Sequence, residues 1–319
     1  MTPPTPTGTA ITTDPLKYHG DQDLAPGLLD LAVNVRGDQP PGWLTSRLQR
    51  GFSKLAAYPD PTVAVQAVAR RHERSPDEVL VTAGAAEAFV LIARAFRPQR
   101  AVCIHPSFTE PEAALTAAGH PVERLQLAPP YQLDPELVPD DADLVVIGNP
   151  TNPTGVVHER LRDIARPGRI TVVDEAFMDA IPGEPHSLAG QRLPGLVVVR
   201  SLTKTWALAG LRVGYLLADP VLIVKLKDAQ PLWSVGTLGL IALDACLARG
   251  PVKQAERDAP ARSSRCAKTS NAGSPRWVST SFRTARRRTC CVGFPVVPTC
   301  AICCAPTALR YDGETPSQA

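Results

Sequence analysis

Lys204 sits in SLTKTWALAGLRVGY (201–215), an amine inside largely apolar sequence, with Ser201 and Thr203 before it and Arg212 after it. A lone lysine extends its ammonium to solvent along an apolar stem, so a chemical role must come from its company. In the right company such an amine can bind a carbonyl compound covalently. Upstream, ITVVD (170–174) ends in Asp174 and runs into Glu175; alone, this carboxylate pair would read as a helix or turn cap. GNPTNPTG (148–155) offers Asn149 and Asn152 in a Pro-rich loop that displays side-chain amides. TAGAAEAF (82–89) carries small residues into a helical pattern, so its backbone N–H groups can close on an anion.

The segments before these residues explain why they would meet. VLVT (79–82), AVCI (101–104), LVVIG (144–148), ITVVD (170–174) and LVVVR (196–200) are short apolar runs rich in Val and Ile. They suit strands covered on both faces. Between them, AAEAFVLIARAF and EPEAALTAAG repeat apolar residues at helical spacing. The alternation predicts an α/β fold with a mostly parallel central sheet and helices on both faces. Loops at the carboxyl ends of such strands gather ligand sites. After a last strand, VGYLLA, a helical stretch is predicted from 220 to about 258, broken near Pro231. An anion cradle, an acid, an amide and an amine at one sheet edge together describe a site for pyridoxal phosphate. The amine would hold the cofactor, the acid would keep its pyridine nitrogen protonated, and the amide would bind its ring hydroxyl.

With these motifs in order, residues 18–259 resemble a fold-type I pyridoxal-phosphate enzyme of the aspartate aminotransferase superfamily. The likeness is to the branch of histidinol-phosphate aminotransferase and L-threonine-O-3-phosphate decarboxylase. It implies that Lys204 binds the cofactor covalently and that Ser201, Thr203 and Arg212 belong to the cofactor site, Ser201 and Arg212 as phosphate ligands. It likewise assigns Asp174 to the pyridine nitrogen, Asn152 to the ring hydroxyl, and Gly84, Ala85 and Ala86 to the backbone phosphate cradle. Phe108, in HPSFTEPE, matches the aromatic that stacks on the ring; by itself it would read as a core aromatic. Tyr58, in AAYPDP, matches a tyrosine that reaches the partner subunit's cofactor, implying a homodimer. Phe177 stands where aminotransferases of the family commonly carry Tyr. DEAFMDAIP, YHG with His19, LLDLAVNVR with Asn34, and QPLWSV (230–235) look like the decarboxylase version. His19 and Asn34 are therefore candidate substrate contacts, although base rates favour a surface or capping role for each. The resemblance favours decarboxylation of a phosphorylated amino acid in cobalamin biosynthesis, with transamination of histidinol phosphate or a related amino acid as the alternative.

Bulk properties narrow the partners. The net charge of +3 conceals an imbalance: 260–319 hold nine Lys/Arg and two Asp/Glu, leaving 25 and 29 in 1–259, a net of −4. No basic stripe with interleaved aromatics runs through that acidic body, which argues against nucleic acid. No apolar run approaches a membrane span, and MTPPTPTGTAITTDP lacks the pattern of a signal peptide, so a cytoplasmic protein is expected. The predicted organisation is an N-terminal arm (1–35), a large cofactor-binding domain (36–219), a helical connection (220–259) and an anomalous tail (260–319).

The tail holds Cys266, Cys290, Cys291, Cys300, Cys303 and Cys304 but no sustained period. A thiolate metal site would lack histidine, and its adjacent cysteines suit one tetrahedral ion poorly. A disulfide-bonded appendage conflicts with the expected compartment. The preferred reading is a disordered segment read out of frame, since a GC-rich gene in the wrong frame yields this Arg, Pro, Ser and Cys mixture. The small C-terminal domain then reads as incomplete, and a catalytically impaired cofactor-binding chain becomes a further alternative. The late carboxylate-binding Arg of the family has no matching block, and Arg310 in TALRYDG is closest in position only. No metal is assigned.

Overall fold

In a computed structural model, residues 34–248 and 250–255 are described, with Leu16, His19 and Gln22 from the N-terminal arm. The expectations for the tail, for its cysteines and for most of the arm lie outside the described residues. Seven strands, β1 (Val79–Thr82), β2 (Ala101–His105), β3 (Val122–Gln126), β4 (Leu144–Gly148), β5 (Ile170–Asp174), β6 (Leu196–Ser201) and β7 (Gly214–Ala218), form one sheet ordered β1-β7-β6-β5-β4-β2-β3. Strand β7 runs antiparallel to both neighbours, and the other pairs are parallel. Facing away from β7 on both sides, β1 and β6 therefore point the same way. The carboxyl ends of β1, β4, β5 and β6 consequently share one edge of the sheet.

Strand periodicity divides the core into two layers. Val172, Val197, Val199 and Leu216 pack with Ala88, Phe89 and Ile92 of α3 (Gly84–Ala95) and with Leu226 of α5 (Pro220–Asp228). Val173, Val198, Tyr215 and Leu217 face the opposite layer, which contains α1 (Gly42–Gly51), α2 (Thr62–His72) and α6 (Thr237–Cys246). A further helix, α4 (Glu110–Ala117), packs beside α3. Burial on both faces explains why the central strands read as unbroken apolar runs.

Strand β3 was not expected from the sequence. It lies at the sheet edge, and VERLQ is mostly exposed, so it lacks the apolar run that marks the others. The predicted helical stretch after β7 is interrupted, as expected, near Pro231: α5 ends at Asp228 and α6 starts at Thr237. Two glycines fix the close approaches. At Gly195, with φ +68°, a Cβ would stand 1.8 Å from the Arg169 carbonyl oxygen. At Gly214 it would stand 2.6 Å from the Arg200 carbonyl oxygen and 3.2 Å from Gly84, so this position lets the start of α3 lie against β7.

Candidate active site

The shared sheet edge collects the residues expected from the sequence. Strand β1 passes through a short turn into α3, whose first residues are Gly84, Ala85 and Ala86. Gly84 has φ +82°, and a Cβ there would lie 2.9 Å from Arg212 Nη2. The guanidinium thus occupies the space a side chain would need, directly beside the N–H groups opening the helix. Arg212 itself has φ +51°, and its Nη1 donates to the Ala209 carbonyl at 3.0 Å. A positive side chain beside a helix N-terminus is the setting that anionic groups favour. Ser201, paired in register with the Gly214 that lies against Gly84, and Thr203 are buried, with their hydroxyl oxygens 2.8 Å apart.

Asp174 ends β5, paired in register with Val199 of β6, so it lies on the α3 face of the sheet. It accepts the Ala176 N–H at 3.0 Å. By accessible surface it is only half-buried, yet protein atoms crowd the carboxyl enough to raise its pKa to about 6. The Ala176 N–H and the charge of Lys204 oppose that rise. Asp174 and Lys204 are therefore electrostatic neighbours. The Lys204 carbonyl accepts the Arg36 N–H at 2.8 Å, and its ammonium lies 5.8 Å from the centre of the buried Phe177 ring.

The two loop asparagines differ in their surroundings. Asn149 is fully buried; its amide donates to the His186 carbonyl at 3.1 Å and its oxygen accepts the His158 N–H at 3.0 Å. That amide holds the loop together, leaving half-buried Asn152 as the loop's other amide. Phe108 packs at the margin of the α3 layer, and the His19 ring stacks on it with centroids 5.5 Å apart. His19 Nε2 also pairs with Glu110 Oε1 at 2.8 Å, which brings a fragment of the arm beside the expected ring-stacking residue. Asn34 is half-buried near the start of the described body. Tyr58 is 76% exposed and stacks on Trp233 of the same chain at 4.1 Å.

Sequence reasoning missed the groups beneath this site. Arg200 and Glu175 form a buried ion pair at 3.0 Å, and Arg36 holds the backbone of Lys204. The signal for the first was present, because a charged residue closed an otherwise apolar strand, LVVVR.

Residues 26–269 match the family described as aminotransferase class I and II. The chain belongs to that family. It is 54% identical over 258 residues to a histidinol-phosphate aminotransferase of Mycobacterium tuberculosis, covering 78% of this chain and 71% of the relative. It is 31% identical over 243 residues to the threonine-phosphate decarboxylase of Salmonella typhimurium, covering 72% and 67%. Among solved structures it resembles the histidinol-phosphate aminotransferase of Clostridium acetobutylicum, with a TM-score of 0.65, 25% identity and 72% of each chain covered. The chain is thus an enzyme of the pyridoxal-phosphate aminotransferase fold. Its residues fit the cofactor on the structure's own terms: a glycine cradle filled by a guanidinium, a pair of buried hydroxyls, and a crowded carboxyl coupled to a lysine. No helix among the described residues is long and apolar enough to cross a membrane.

Proposed function

We propose that this chain is a decarboxylase of a small phosphorylated amino acid of the threonine-phosphate kind, working in cobalamin biosynthesis. The observation that carries the reading is Phe177, whose hydrocarbon ring lies beneath the Lys204 ammonium where family aminotransferases commonly present a phenol. The Salmonella relative, a threonine-phosphate decarboxylase, supports it. Transamination of histidinol phosphate is the second reading, favoured by the 54% identity to the mycobacterial relative.

Bound pyridoxal phosphate supplies an electron sink for the bonds of the substrate Cα. Lys204 anchors it and then moves a proton at that carbon; Asp174 keeps a proton on the pyridine nitrogen; Asn152 binds the ring hydroxyl. Ser201, Arg212 and the N–H groups of Gly84, Ala85 and Ala86 hold the phosphate, Thr203 braces Ser201, and Phe108 covers the ring. His19 and Asn34 contact the substrate. The orientation of its carboxylate decides between loss of carbon dioxide and transamination. Tyr58, exposed beside Phe52, Leu55 and Leu232, forms part of an apolar surface that suits a second copy of the chain, and through it the partner's cofactor.

Purified chain loaded with cofactor should release labelled carbon dioxide from carboxyl-labelled threonine phosphate without any keto acid. Turnover of histidinol phosphate that requires a keto acid, with no carbon dioxide released, would establish the second reading instead. Lys204→Ala should abolish the visible absorbance that borohydride otherwise fixes onto the protein, and sedimentation should give twice the chain mass.

A further inference from the structure

The two charged residues next to the site's acid and amine are themselves paired, on the opposite side of the sheet. Asp174 and Ser201 lie on the α3 face. Glu175 follows the first and Arg200 precedes the second, so strand alternation turns both toward the α2 layer. Arg200 stands opposite Tyr215 in register, and Tyr215 OH meets His72 of α2 at 2.8 Å. Arg200 Nη1 donates to Glu175 Oε2 at 3.0 Å, and Nη2 donates to Glu184 Oε2 at 2.6 Å. Glu175 is 1% exposed and Arg200 4%. The remaining acceptor capacity of Glu175 is met by the Ser187 hydroxyl at 2.7 Å and the Leu188 N–H at 2.6 Å. Arg71 in turn binds Glu184 at 2.9 Å.

We propose that Arg200 and Glu175 are positioning residues, a buried clamp that fixes the separation between Asp174 and the Ser201–Lys204 turn. A planar guanidinium with two fixed forks can hold Glu175 and Glu184 at once, whereas a lysine in its place reaches one. Strand β5 ends at the last pair of the shared ladder, Asp174 with Val199, while β6 runs on through Arg200 and Ser201. The last hydrogen bond between them is Glu175 N–H to the Val199 carbonyl at 2.8 Å, and past it the clamp joins the two chain segments. Fully satisfied pairs of this kind specify geometry more than they add stability. The inference rests on the assignment of Asp174 and Lys204 to the cofactor.

Arg200→Lys keeps the charge and removes the fork. In the full chain without cofactor, Lys204 reactivity is followed from pH 6 to 11 by limiting acylation and mass spectrometry. Its midpoint should fall by about half a unit or more, because the Asp174 carboxylate is held less closely. In the loaded chain, pyridoxal phosphate should dissociate about tenfold faster. Arg71→Lys, which alters the same network without touching either strand end, should keep both wild-type values. If Arg200→Lys does not fold, Ser187→Ala, which removes one hydrogen bond to Glu175, should shift both readouts in the same direction by less. Wild-type profiles in a folded Arg200→Lys, or in Ser187→Ala where it stands in, would overturn the clamp. A wild-type chain that takes up no cofactor would sink the proposed function, while the acylation profiles would still decide the clamp.

Discussion

Replacing Asp174 by Asn should make the cofactor-free chain more stable at neutral pH, although it removes the residue proposed to hold the cofactor's pyridine nitrogen. Burial raises the folded-state pKa of this carboxyl from 3.8 to about 6. In the unfolded chain the group ionises first, so the folded state loses stability as pH rises from about 4 to 6, and the loss is complete by pH 7. A difference of about two units corresponds to about 3 kcal/mol. Asparagine cannot ionise but can still accept the Ala176 N–H, so the variant escapes that loss. Urea unfolding of cofactor-free wild type and Asp174→Asn, followed by circular dichroism, should give nearly equal midpoints at pH 4. At pH 8 the variant should lead by roughly 1–3 kcal/mol. Asp179 also has its pKa raised to about 6 by burial, but it is common to both proteins and cancels in the difference. With pyridoxal phosphate bound the order should reverse, because the pyridinium stabilises only the ionised acid. Equal displacement at both pH values, or a less stable variant at pH 8, would refute the electrostatic account of this residue.

Other substitutions probe the scaffold. Gly195→Ala places a Cβ 1.8 Å from the Arg169 carbonyl at φ +68°, and should cost roughly 3 kcal/mol or more, read as a lower urea midpoint or loss of soluble chain. Gly84→Ala pushes on Arg212 at a positive φ; about 1–2 kcal/mol of stability should go, with cofactor affinity falling roughly tenfold by fluorescence titration. Asn149→Leu leaves the His158 N–H and the His186 carbonyl without their buried partner, and should lower stability by about 2–4 kcal/mol in the same unfolding assay.

The sequence made the chemical edge legible because each strand ending there is buried on both faces and followed by a polar or glycine-rich turn. Asp174, Ser201 and Lys204 could be located from that pattern alone, and their roles came with the family resemblance. The order of the strands could not be read this way, since nothing in GYLLA marks it as the antiparallel member. Strand β3 escaped because an edge strand needs only a sparse apolar face. That Asn149 is the buried amide bonded within the loop could not be read from sequence either: two identical amides in one loop differ only in what the fold places beside them. Glu175 stood in plain view as half of an acidic pair, but its partner lies 25 positions on, across a strand alternation that turns it away from Asp174.

Strand β7 reverses direction, and through it the first strand of the sheet joins the same edge as β4, β5 and β6. On the proposed assignment, ligands for a single small molecule would come from segments as distant as residues 84 and 212. Bound there, the molecule would act as a rivet between early and late parts of the chain, gripping only after both have docked. At a free concentration a thousandfold above its dissociation constant, it would add about 4 kcal/mol to the assembled sheet and nothing to a partly assembled one. Starvation for this vitamin-derived molecule would then lower the amount of intact protein as well as its catalysis, and proteolysis rates with and without it would expose the difference.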